Sequence, residues 1–86
     1  MMTNIFIIED KFGKCIRLTK DRWSHITTEH PDISSIDEIK ETIKFPQAIR
    51  RSDRDPEKVK WFFRYIKEEG LYLLVSVKYL NGDGFI

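Results

Sequence analysis

KVKWFFRYIKEEGLYLLVSVKY, residues Lys58 to Tyr79, reads as two long strands joined by a tight turn at Glu68-Glu69-Gly70. In the second strand Leu71, Leu73, Val75, Val77 and Tyr79 alternate with Tyr72, Leu74, Ser76 and Lys78, which gives it one apolar face. The first alternates Val59, Trp61, Phe63 and Tyr65 with Lys58, Lys60, Phe62, Arg64 and Ile66, and its aromatic and β-branched content suits a pleated surface. The hairpin is expected to turn one face to helices. Its other face is expected to gather Lys60, Arg64, Tyr72, Ser76 and Lys78, a mixture of cations, hydroxyls and an aromatic ring suited to binding.

Just upstream, Gln47 to Ser52 reads as a strand with Ala48, Arg50 and Ser52 on one face and Gln47, Ile49 and Arg51 on the other. Asp53-Arg54-Asp55-Pro56 is the polar turn that follows it. Downstream, Asn81-Gly82-Asp83-Gly84 is a strong hairpin signal with just Phe85 and Ile86 after it. The C-terminal strand is therefore expected to be truncated. The edge beside Tyr79 is expected to be left open to self-association or to a partner strand.

Further out, Ser35 and Glu38 have capping-box spacing and begin a helix whose stripe is Ile36, Ile39 and Ile43, with Ile33 before it. Phe45-Pro46 ends that helix. Thr19 offers an N-cap to an earlier helix from about Lys20 to Glu29, with Trp23, Ile26 and His30 on one side and Arg22, His25 and Glu29 on another. Pro31 stops it, because the residue before a proline disfavours helical geometry. Asn4 to Ile8 and Lys14 to Leu18 read as a first hairpin closed by Asp10-Lys11-Phe12-Gly13. The fold expected from these elements is α+β, with two N-terminal helices packed on a mostly antiparallel sheet of about four to five strands.

The 86 residues suit one domain, 1–86, with a single core. A hydrophobic fraction of 41% and a charged fraction of 34% describe a soluble chain, and no apolar run approaches the roughly 18 residues of a membrane span. Ile5 to Ile8 is quickly followed by Glu9, Asp10 and Lys11, unlike a signal peptide, so the expected setting is cytoplasmic, with no membrane partner. The one cysteine, Cys15, excludes an internal disulfide and is expected to pack as a small hydrophobe. Net charge is +1, yet Phe45 to Lys67 holds seven cations against three acids, locally +4, which leaves the remainder at −3. A positive segment on an acidic body attracts phosphates.

His25 and His30 are five residues apart, roughly 140° on a helix, and cannot chelate one ion from it. His25 with Glu29 lacks a third ligand, so no metal and no cofactor are expected. His25 suits acid/base work better, since imidazole titrates near neutrality. RNA cleavage without metal needs a group to take the 2′-hydroxyl proton, another to protonate the leaving 5′-oxygen, and cations for the phosphorane. Arg50, Arg51, Lys60, Arg64 and Lys78 are candidates for the cations. Tyr72 or Tyr65 could donate a proton or stack a base.

Five stretches, RLTKDRWSHI (Arg17 to Ile26), EHPD (Glu29 to Asp32), ETIKFPQAIRRS (Glu41 to Ser52), LVSVK (Leu74 to Lys78) and NGDGFI (Asn81 to Ile86), resemble the phage-type barnase/EndoU/colicin/RelE-like nuclease domains. The resemblance covers roughly Lys14 to the end. It implies two helices followed by an antiparallel sheet and a metal-independent ribonuclease role in toxin or phage-conflict systems. By position it favours His25, His30, the Arg50 to Ser52 strand end and Lys78; together with the reading of charges and rings above, the expected catalytic residues are His25, His30, Arg50, Ser52 and Lys78, and the expected substrate-binding residues are Arg51, Lys60, Arg64 and Tyr72. The implied partners are RNA and an antitoxin or immunity protein, and edge-strand pairing implies a homo-oligomer. Such domains run on after GFI into a further strand. The rival expectation is a non-catalytic interaction or regulatory module on the same fold.

Overall fold

The computed structural model describes residues 3–29 and 35–86. Its elements in order are β1 (Asn4–Glu9), β2 (Cys15–Thr19), α1 (Lys20–Glu29), α2 (Ile36–Lys44), β3 (Ala48–Arg51), β4 (Val59–Ile66), β5 (Leu71–Leu80) and β6 (Asp83–Phe85). Two helices cover one face of a six-stranded sheet of order β1-β2-β6-β5-β4-β3, antiparallel except where β6 runs parallel to β2. The fold is α+β, with two corrections to the expected layout. The helices follow the β1–β2 hairpin instead of starting the chain, and the sheet has six strands, not four to five.

Local chemistry explains the elements. Gly13, at φ 78°, closes the first turn, and the buried Asp10 organises it. The Asp10 carboxylate accepts the backbone N–H groups of Phe12 and Lys14 at 2.8 and 2.9 Å and the Tyr79 hydroxyl at 2.7 Å. Thr19 caps α1 by accepting the Arg22 N–H, and Ser35 caps α2 by accepting that of Glu38, both at 3.2 Å. Asn81 and Gly82, at φ 54° and 87°, form the two-residue reversal that sets Leu80 opposite Asp83. The proposed stop at Pro31 and the stripe position Ile33 lie outside the described residues.

The core sits between the helices and the sheet. Phe62, Ile16, Leu18, Ile43 and Val77 are fully buried, joined by Phe6, Ile39, Ile66, Leu73 and Val75. α2 lies over β4 and β5, and α1 over β1 and β2. No residue of α1 is fully buried; Trp23 and Ile26 are half-buried against the core.

The β4–β5 register overturns one expectation. The loop spans Lys67 to Gly70, with the N–H groups of Glu69 and Gly70 both donating to the Ile66 carbonyl, so Ile66 pairs with Leu71. A turn confined to Glu68, Glu69 and Gly70 would pair Lys67 with Leu71. One extra loop residue moves every β4 side chain to the opposite face. Lys60 and Arg64 therefore lie on the helix-side face, opposite Val77 and Leu73. Trp61, Phe63 and Tyr65 join Ser76, Leu74 and Tyr72 on the other.

The edge expected beside Tyr79 is also corrected. Tyr79 pairs with Gly84, and β6 is held on its far side by β2, so the sheet is closed there. Ile86 continues the link by donating its N–H to the Arg17 carbonyl at 3.1 Å.

Burial and the hydrogen bond to Asp10 raise the Tyr79 phenol well above its ordinary value. The folded state thus keeps this proton where the unfolded chain releases it near pH 10, and stability falls as pH rises past that value. Tyr79→Phe should flatten the loss. Thermal unfolding of both proteins between about pH 9 and 11 measures the difference.

Candidate nucleic-acid interface

The helix-free face of the sheet carries the densest set of binding groups. Cross-strand register aligns Ser76, Trp61 and Arg50 in one row, and Leu74, Phe63 and Ala48 in the next. Tyr72 and Tyr65 form a third, with ring centroids 5.2 Å apart in an edge-to-face arrangement. A longer row crosses the sheet through Ile7, Arg17, Phe85, Lys78 and Val59. Tyr72 is 64% exposed and Leu74 46%, while Trp61, Phe63 and Phe85 are half-buried by their neighbours. Large aromatic and aliphatic groups remain open because both helices pack on the opposite face.

The charges on this face favour an anion. Arg50 and Lys78 are exposed, and among the described residues neither forms an ion pair. Arg17 donates to the Asp83 carboxylate at 2.9 Å, and its guanidinium lies 5.7 Å from the Phe85 ring centre. The β3, β4 and β5 residues on this face include no acid. Aromatic faces beside unpaired cations provide stacking for bases and charge for phosphates.

The residues expected to form the site are divided among several places. Arg50, Lys78 and Tyr72 share the open face. His25 is on α1, on the far side of the sheet, where its Nε2 lies 3.1 Å from the Glu29 carboxylate and both side chains are largely exposed. His30 lies outside the described residues. Ser52 is buried in the turn after β3, its N–H donating to the Val59 carbonyl and its hydroxyl accepting the Arg54 N–H. Arg64 ties α2 to the sheet by donating to the Phe45 carbonyl at 2.7 Å, with the Glu41 carboxylate 3.8 Å away.

Lys60 and Arg51 pair across strands on the helix side, Arg51 exposed and Lys60 half-buried. The Lys60 ammonium lies 4.6 Å from the Phe12 ring centre and 5.4 Å from that of Tyr79, and Lys14 approaches the same tyrosine at 5.2 Å. This is a second cationic cluster, separated from the open face by the sheet. Cys15 is a free, half-buried thiol at the end of β2.

Reading the hairpin by alternation misses Trp61, Phe63 and Tyr65 as surface groups, because aromatic residues in an apolar strand look like core. The signal available was the loop. Counting Lys67 as part of it sets the register and turns these rings outward. Among the described residues no three His, Cys, Asp or Glu side chains converge on one point, and no helix is long and apolar enough to cross a membrane. In comparisons with family models, with curated proteins and with solved structures, nothing matches this chain.

Proposed function

We propose that this chain is an RNA-directed domain of the metal-independent ribonuclease type, of use in toxin or phage-conflict systems, and that RNA lies across the open face of β3, β4 and β5. The observation that carries the reading is the joint display of Trp61, Phe63, Tyr65 and Tyr72 with Arg50 and Lys78 on a face free of helices. Single-stranded RNA suits it, since splayed bases stack on aromatic rings while cations follow the backbone.

For cleavage, the 2′-oxygen attacks phosphorus as its proton passes to a base, and the 5′-oxygen leaves with a proton. Asp83 on β6, held by Arg17, would accept the 2′-hydroxyl proton and return it, directly or through water, to the leaving 5′-oxygen; Lys78 on the neighbouring strand would carry phosphorane charge, and Arg50, three strands from Asp83, would hold a flanking phosphate of the same RNA. RNA on this face is screened by the sheet from His25. Activity toward a mixed RNA substrate should persist in EDTA and fall at least tenfold in Asp83→Asn. Loss of cleavage on chelation, with recovery on adding Mg²⁺ or Zn²⁺, would sink the metal-free reading.

A second reading, a non-catalytic module that binds a protein such as an antitoxin or immunity protein, is favoured by a separate observation. Among the described residues, β6 pairs with three of the ten β5 residues, and Leu71 to Val77 have no strand neighbour on that side.

A further inference from the structure

β5 runs from Leu71 to Leu80, but β6 pairs with Lys78, Tyr79 and Leu80 alone. The Tyr79 N–H donates to the Lys58 carbonyl at 2.7 Å, so the odd-numbered residues of β5 direct their backbone groups at β4. The even-numbered residues direct theirs the other way. Lys78 and Leu80 meet β6. Tyr72, Leu74 and Ser76 point their N–H and C=O groups into a groove where no described strand pairs with them.

The groove has a volume of about 530 Å³. Its floor and walls include Ile26 of α1, Ile39 of α2, Ile66 of β4, and Leu73 and Val75, with Ile86 at the end next to β6. Glu38 and Glu69 stand at the rim, with Arg22 also lining it. An apolar trough beside a row of backbone groups that no described strand pairs is the recognition surface of strand addition, in which main-chain hydrogen bonds give affinity and alternate side chains give specificity.

We propose that this groove takes an extended segment of a partner protein as a strand antiparallel to β5, in line with β6. Six residues at about 3.4 Å each span Ser76 to Leu71. The register sends the partner residues opposite Val75 and Leu73 into the trough, where β-branched apolar side chains fit, and sends those between them to the open face. A strand in this direction ends beside Glu69 and Glu38, which selects a basic residue at its C-terminal end. Burial, and then the charges of Glu69, Glu68 and Glu41, hold the Glu38 carboxyl above the usual range, and an incoming cation relieves that repulsion.

The probe is the blocked peptide Thr-Val-Thr-Val-Thr-Lys, with a counterpart ending in Glu. Amide hydrogen exchange and calorimetry on the whole chain should show saturable binding, with exchange slowed about tenfold at Tyr72, Leu74 and Ser76. Ile26→Arg, which fills the trough from the helix side, should abolish binding. Glu38→Lys should weaken the Lys peptide about tenfold and favour the Glu peptide. Because Glu38 stands at the rim of the groove and outside the buried core, Glu38→Lys leaves the core intact, and its charge preference separates recognition from damage to the fold.

Unchanged exchange at millimolar peptide, or indifference to Glu38→Lys, would overturn the proposal. So would a reversible dimer that protects the same three amides without peptide, since the occupant would then be a second copy. Tyr72, Leu74 and Ser76 border both surfaces, but Trp61 and Arg50 lie outside the groove, so the loss of RNA binding in Trp61→Ala or Arg50→Ala with peptide binding unchanged tells the failure of one reading from that of the other.

Discussion

Replacing Gly84 with alanine should destabilise the domain by about 2 kcal/mol, or roughly 8–16 °C in Tm for a chain of this size. Gly84 is buried where β6 threads between β2 and β5. A Cβ there would collide with Cδ1 of Ile16, lie 2.9 Å from Cγ1 of Val77 and 3.3 Å from Cε1 of Tyr79. Ile16 and Val77 are fully buried, so neither can swing aside without disturbing its own neighbours. Gly84→Val adds two more methyl groups and should prevent folding. Gly82, with φ 87° and open space around it, tests conformation without crowding: Gly82→Asn should cost less than about 1 kcal/mol. Denaturant unfolding of the three variants measures the contrast. If Gly84→Ala is as stable as wild type, β6 is not seated between β2 and β5.

Trp61→Ala should weaken binding to single-stranded RNA by about 1–3 kcal/mol, a loss of roughly tenfold to a hundredfold, if a base stacks on the indole. Arg50, in the same row, contributes charge: Arg50→Ala should weaken binding to all sequences alike and reduce the salt dependence by about 0.7 in the log–log slope. Lys60→Ala is the contrasting variant, because Lys60 lies across the sheet among Phe12, Tyr79 and Lys14. It should bind RNA as wild type does. Equal losses from Arg50→Ala and Lys60→Ala would mean that general positive charge, not the open face, sets affinity.

Most elements were legible because each is specified locally. Thr19 and Ser35 cap their helices, Gly13 and Asn81-Gly82 supply the left-handed turns, and β5 alternates cleanly. The sidedness of β4 was not legible in the same way. Its two alternating sets are both rich in large rings and chains, Phe62 and Ile66 against Trp61, Phe63 and Tyr65, so hydrophobicity alone does not choose between them. The choice rests on loop length, and on Arg64, whose guanidinium bonds the Phe45 carbonyl at the end of α2 and so belongs on the helix side.

The parallel pairing of β6 with β2 was hidden for a different reason. It joins segments nearly seventy residues apart through two register pairs, Ile16 with Gly84 and Arg17 with Phe85. No local pattern encodes such a contact, although the small size of Gly84 records its tightness. The candidate site was legible in composition and not in arrangement. Arg50, Lys78 and Tyr72 belong together, whereas Lys60, Arg51, Arg64, Ser52 and His25 face other surroundings.

The two tryptophans stand on opposite sides of the sheet, Trp61 on the open face and Trp23 on α1 against the core. Their indole N–H resonances therefore report separately on the two sides of the molecule. In a titration with an unstructured oligoribonucleotide of about eight nucleotides, the account predicts that Trp61 shifts saturably, together with the Tyr65 and Tyr72 rings, while Trp23 stays in place. Movement of Trp23 and His25 with Trp61 unmoved would contradict it.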